Sequence, residues 1–93
     1  MHKIIHTPHF KKTYQKLTKR NNRLKEITKI AIIKLADNPF SPSLKTHKTI
    51  NPIFGRAWSS EVTRDIRIFW DFTDYGIILL AFGGHSGKYK VYK

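Results

Sequence analysis

The chain contains no cysteine, and only 6 of its 93 residues are acidic. The first absence excludes a disulfide framework, thiolate zinc sites and a cysteine nucleophile. The second leaves little material for the paired carboxylates of glycoside chemistry. Long hydrophobic runs are missing as well. The longest, Gly76 to Gly84, falls far short of the ~20 residues needed to span a membrane. Lys3, His6 and His9 interrupt any apolar opening, so no secretory leader is expected. There is no Gly-x-Ser-x-Gly elbow, no P-loop and no dinucleotide fingerprint, since Gly83, Gly84 and Gly87 lack that spacing and a following helix. Five histidines are present, but His2, His6 and His9 straddle a strand and a helix start. They offer no ready tetrahedral set, and neither a metal nor a cofactor is expected.

What is abundant is positive charge. Eighteen Lys and Arg give a formal net charge of +12. Residues 1–50 hold 12 basic and 2 acidic side chains, whereas residues 51–93 hold 6 and 4. Such a field favours a polyanionic partner, with nucleic acid or the ribosome first, over an anionic membrane surface or an acidic protein. With 40% apolar and 13% aromatic residues the chain is too hydrophobic for a disordered basic tail. Its length suits one domain, residues 1–93, in a compact cytoplasmic protein.

The apolar spacing gives an element order. Lys3 to His6 reads as a strand, and Thr7-Pro8 as a helix start with a capping hydroxyl and proline at the first helical position. Phe10, Tyr14 and Leu17 form the stripe of that helix. Asn21-Asn22 breaks it and caps a second, whose stripe is Leu24, Ile27, Ala31 and Leu35. Asp37-Asn38-Pro39 stops the second helix. Three prolines make Pro39 to Arg56 read as mainly irregular, a long loop of the kind that often carries function. Trp58–Val62, Ile66–Thr73 and Ile77–Phe82 read as strands, with turns at Thr63–Asp65 and Asp74–Gly76. Tyr89, Val91 and Tyr92 could add a short strand. The expectation is an α+β fold of order β-α-α-β-β-β, an antiparallel sheet with two N-terminal helices on one face.

Alternation in the middle strand puts Ile66, Ile68, Trp70 and Phe72 toward the helices, and Arg67, Phe69 and Asp71 on the opposite face. Arg67 there either faces a ligand or pairs with Asp65, Asp71 or Glu61. Trp58, at a strand start, reads as core. Phosphodiester cleavage without a metal can use what this chain has, because RNA supplies its own nucleophile, the 2′-OH. Histidine or tyrosine can move the protons, while Arg and Lys stabilise the phosphate. The candidates are His47 and Lys48 in the long loop, Arg67 on the sheet, and His85, Lys88 and Tyr89 beyond the last strand.

Three stretches resemble a known family. They are Leu35-Ala36-Asp37-Asn38-Pro39 with Ser43 to Lys48; Gly55 to Ser60 with Val62 to Phe69; and Ile77 to Phe82 followed by Gly83-Gly84-His85 and Tyr89, a Gly-x-His-x-x-x-Tyr close. Together they resemble RelE/ParE-superfamily toxins across essentially the whole chain, most of all the RelE/YafQ-type mRNA interferases. The resemblance implies a RelE-like fold and the toxin of a type II toxin–antitoxin pair. Such a toxin enters the ribosomal A site and cuts mRNA without a metal, inhibiting translation. By matching motif, His47, Arg67, His85 and Tyr89 would be catalytic, and Lys48, Arg64 and Lys88 would bind substrate. Between His85 and Tyr89 stand Ser86, Gly87 and Lys88, where the family commonly carries acidic residues. A cognate antitoxin, the ribosome and mRNA are the implied partners, with no membrane. Two other readings share the charge: a ParE-like DNA gyrase inhibitor, and a basic RNA- or ribosome-binding module without catalysis.

Overall fold

A computed structural model describes residues 1–51 and 54–84. In chain order these form β1 (Ile4–His6), α1 (Pro8–Thr18), α2 (Asn22–Asp37), a 3-10 turn (Pro42–Leu44), β2 (His47–Asn51), β3 (Gly55–Glu61), β4 (Arg67–Thr73) and β5 (Gly76–Gly83). The strands make one five-stranded sheet in the order β1-β5-β4-β3-β2. This is the expected α+β architecture with one strand more. No helix among the described residues is long and apolar enough to cross a membrane.

The caps set the helices. Thr7 Oγ1 accepts from the Phe10 N–H (3.1 Å) and donates to the Leu79 carbonyl (2.7 Å), starting α1 and tying it to β5. Asn21 Oδ1 accepts from the Leu24 N–H (3.0 Å) and starts α2. Each cap satisfies one backbone donor that the helix itself leaves free. Where β1 ends, α1 takes over the edge of β5: Thr13 Oγ1 accepts from the Phe82 N–H at 2.9 Å.

Phe10 of α1, Leu24, Ala31 and Leu35 of α2, and Leu44 pack against Ile68, Trp70, Ile77, Leu79 and Phe82 of the sheet. Each Leu, Ile or Phe among them, fully buried, stabilises the fold by roughly 1.5–3 kcal/mol. Opposite Phe69 and Trp70 of β4 stand Ala81 and Leu79, so Leu80 is an extra residue in β5. That bulge restores the phase of the strand, letting Leu79 and Phe82 both reach the helices.

Three details depart from the sequence reading. First, β1 pairs with β5 in parallel, so the sheet is mixed. Periodicity identifies strands but not their partners. The close approach is possible because Gly76 has no side chain: a Cβ there would collide with the Lys3 carbonyl, which accepts from the Ile77 N–H at 2.8 Å. Second, the stretch read as irregular contains β2, an edge strand of mostly polar residues whose Ile50 is 76% exposed. It carries no burial signal to betray it. Third, Phe72 is 41% exposed while Phe69, on the opposite face, is fully buried.

Candidate functional site

The face of the sheet turned away from the helices is built in rows by strand register. His47 of β2 stands opposite Ser59 of β3, which stands opposite Phe69 and then Ala81. In the next row toward the β3–β4 turn, Glu61 faces Arg67, and Arg67 faces Gly83. In the other direction Thr49 faces Ala57, and Asp71 faces Ile78. Side chains two apart on a strand share a face. His47, Ser59, Glu61, Arg67 and Asp71 therefore lie on one surface. Its floor is buried Ala57, Ser59, Phe69 and Ala81, and its rim is charged.

Glu61 is held between two cations. Arg67 Nη1 lies 3.8 Å from Glu61 Oε2, and Lys45 Nζ lies 4.0 Å from Oε1. Both contacts are long, and the Arg67 side chain keeps 22% of its surface exposed. A guanidinium has five N–H donors, and one such pairing leaves most of them for another anion. Of the three carboxylates the sequence offers as partners for Arg67, Glu61 is the one within ion-pair distance. The β3–β4 turn explains why. Thr63 Oγ1 accepts from the Asp65 and Ile66 N–H groups, and Val62 and Thr63 both donate to the Ile66 carbonyl. This centres the hairpin on Arg64, from which Glu61 and Arg67 are equidistant. Arg64 itself is exposed at the tip, beyond the Glu61–Arg67 row.

His47 belongs to a strand rather than a loop, and its backbone is fixed from below. Trp70 Nε1–H donates to Ser60 Oγ (2.8 Å) and Thr46 Oγ1–H to the Pro39 carbonyl (2.6 Å). That leaves the Ser60 hydroxyl to donate to Thr46 Oγ1, also 2.6 Å away. The chain runs from the core to the residue before His47. Lys45, with φ of 48°, turns the backbone into β2. His47 Nδ1 lies 3.2 Å from the Lys45 carbonyl. Because that partner can only accept, Nδ1 carries the proton, and in neutral imidazole Nε2 is then the acceptor.

Not every candidate joins this surface. Lys48 is one residue from His47 and points to the other face, its Nζ 5.6 Å from the centre of the Trp58 ring. A one-residue step reverses a strand side chain, so Lys48 does not stand beside His47, and it lines a groove at the sheet edge with Arg56, Ala57 and Asp71. Trp58 packs against the core, stacked on Trp70 with centroids 5.9 Å apart. His85, Lys88 and Tyr89 lie outside the described residues, as do Val91 and Tyr92. Sequence reasoning did not assign a role to Lys45 or Ser59, and offered Glu61 only as one of three pairing partners for Arg67. The symmetry of the hairpin about Arg64 was a signal for Glu61; Lys45 and Ser59 had none. The Ser59 hydroxyl is buried without a hydrogen-bond partner on the floor beside His47. Among the described residues no three His, Asp or Glu side chains cluster closely enough to hold a metal ion.

No protein-family model matches the sequence, and no curated protein sequence matches it significantly. Solved structures do match its fold. A copper-bound mutant of a toxin from Helicobacter pylori superposes with a TM-score of 0.73 at 21% identity, over 91% of this chain and 96% of that one. The E. coli DinJ-YafQ toxin-antitoxin complex gives 0.70 at 19% identity, over 90% and 92%. A YoeB/ParE toxin from Agrobacterium tumefaciens gives 0.71 at 18% identity, over 90% and 99%. The chain has the fold of these toxins, the RelE-like architecture implied by its motifs.

Proposed function

We propose that this chain is the toxin of a type II toxin–antitoxin pair, a cytoplasmic endoribonuclease that cuts mRNA on the ribosome without a metal. The observation that carries the reading is the surface shared by His47, Glu61 and Arg67 on a sheet of toxin-like fold. A gyrase inhibitor acts by binding and requires no acid–base pair beside an anion-binding arginine. The basic binding module has the same difficulty.

The reaction follows from the residues. Nε2 of His47 takes the proton of the 2′-OH, whose oxygen attacks the adjacent phosphorus. Arg67 donates to the equatorial oxygens as negative charge builds on the phosphorane. Glu61 orients the guanidinium, and Lys45 balances Glu61 so that the rim stays attractive to a phosphate. The bond from phosphorus to the 5′-oxygen breaks, and that oxygen receives a proton from His85. The products are a 2′,3′-cyclic phosphate and a 5′-OH end. Tyr89 stacks on or orients a nucleotide, and Arg64 and Lys88 hold flanking phosphates. Lys48, at the groove that holds Asp71, binds substrate from the sheet edge.

The basic helices supply the grip on ribosomal RNA, whose strength falls steeply with salt. They also attract a cognate antitoxin. A disordered acidic segment that folds over the chain would mask the outer face. The E. coli DinJ-YafQ toxin-antitoxin complex, similar in fold, supports a cognate antitoxin as partner. Mapping 5′ ends of cellular mRNA after brief induction tests the reading. In-frame cuts within translated codons support it; intact mRNA with DNA damage refutes it in favour of gyrase poisoning.

A further inference from the structure

Beyond the Glu61–Arg67 and His47–Ser59 rows the outer face continues into an open groove of about 730 Å³, where Lys48, Arg56 and Trp58 join Thr49, Ala57 and Asp71 in the lining. This volume is within the range of small-ligand sites, roughly 300–1,000 Å³. Asp71 shares a face with Arg67 and Phe69, four positions along β4 from Arg67. At ~3.3 Å per residue its backbone is about 13 Å from that of Arg67. An RNA strand whose scissile phosphate sits at Arg67 therefore brings a neighbouring nucleotide over Asp71.

A carboxylate there is out of keeping with the rest of the chain, which has 18 basic and 6 acidic residues. Asp71 Oδ1 accepts from the Phe72 N–H at 2.8 Å. The two ion pairs among the described residues both belong to Glu61, so Asp71 is in neither, and Lys48 and Arg56 line the groove with it. The carboxylate repels phosphate and can only accept hydrogen bonds, each oxygen having two lone pairs. With Lys48 and Arg56 in the same groove to take the phosphates, the nucleotide above Asp71 turns its base toward the carboxylate. Guanine alone among the four bases presents two adjacent donors, N1–H and the N2 amine, and so matches both carboxylate oxygens. Adenine and cytosine offer one donor beside a ring nitrogen that would face the second oxygen. Uracil offers one donor between two carbonyls.

We propose that Asp71 determines sequence preference by selecting guanine at a fixed position beside the cut. The inference rests on the ribonuclease reading above. Its test is cut-site sequencing of mRNA on programmed ribosomes with the full chain. Wild type should show guanine enriched at one fixed offset by roughly tenfold or more, the discrimination expected of a bidentate contact. Asp71→Asn and Asp71→Ala should still cut but lose that enrichment. Asp74→Asn, in the exposed β4–β5 turn, should retain it. Guanine enrichment that survives both Asp71 variants, or a wild type with none at any offset, overturns the proposal. Binding of short oligoribonucleotides separates this failure from failure of the nuclease reading. Even a chain that cuts nothing should bind guanine-containing pentamers about tenfold tighter than guanine-free ones, through Asp71. Equal binding, or a preference unchanged in Asp71→Ala, removes Asp71 from recognition.

Discussion

The two faces of the sheet are made by the same strands, one residue out of step. The helix side is filled by Ile68, Trp70, Ile77, Leu79 and Phe82, all essentially inaccessible to solvent. The outer side has a floor of small or apolar residues and a rim of His47, Glu61, Arg67 and Asp71. Damage to the first face should cost stability; damage to the second should cost chemistry at nearly constant stability. The contrast between Lys48 and His47, neighbours in sequence on opposite faces, shows how narrow that division is.

The most disruptive test breaks the helix side. Trp70→Ala removes a fully buried ring and the donor to Ser60 Oγ. It should lower the free energy of unfolding by about 3–5 kcal/mol in a denaturant titration. On the outer face, Arg67→Ala should reduce translation-dependent cutting by roughly 100-fold or more, as removal of a transition-state donor does. Its unfolding free energy should move by less than about 1 kcal/mol, because the pair with Glu61 is partly solvated. A fall in stability as large as that of Trp70→Ala would erase the distinction between the faces.

Gly76→Ala probes a third situation, in which backbone approach rather than packing or chemistry is at stake. The added methyl meets the Lys3 carbonyl, and φ of 145° is unfavourable for alanine. A loss of about 1–3 kcal/mol is expected, and hydrogen exchange should locate it at β1 and the start of β5. Smaller still is Ser60→Ala, which interrupts the buried chain from Trp70 to Pro39. It should cost about 1–3 kcal/mol, toward the lower end because only a hydroxyl is removed. Cutting should also slow, since Thr46 then keeps its bond to Pro39 but loses its tie through Ser60 to the core beneath His47.

How much of this was legible in the sequence follows from the kind of signal each part carries. Both helices announce themselves through capping residues and apolar stripes, and Phe10, Leu24, Ala31 and Leu35 are buried as their spacing required. The β4 alternation gave Arg67 and Asp71 a common face, away from Ile68 and Trp70. The edge strand β2 was not legible, because half of an edge strand's interactions are with water. Its conversion from loop to strand decides that His47 joins the outer face and Lys48 does not. The parallel pairing of β1 with β5 depends on a glycine whose importance appears only when the Lys3 backbone is beside it. Lys45 was invisible for a different reason: it reaches Glu61 from an αL turn that no periodicity describes.

The central claim is that the outer face cuts RNA and the helix side does not. Cleavage of a defined mRNA on programmed ribosomes, with wild type and Arg67→Ala matched for folded fraction, tests it most directly. The account predicts 5′-OH and 2′,3′-cyclic phosphate ends from wild type, and a rate lower by roughly 100-fold or more in the variant. An Arg67→Ala protein that cuts at the wild-type rate, at the same positions, would contradict it.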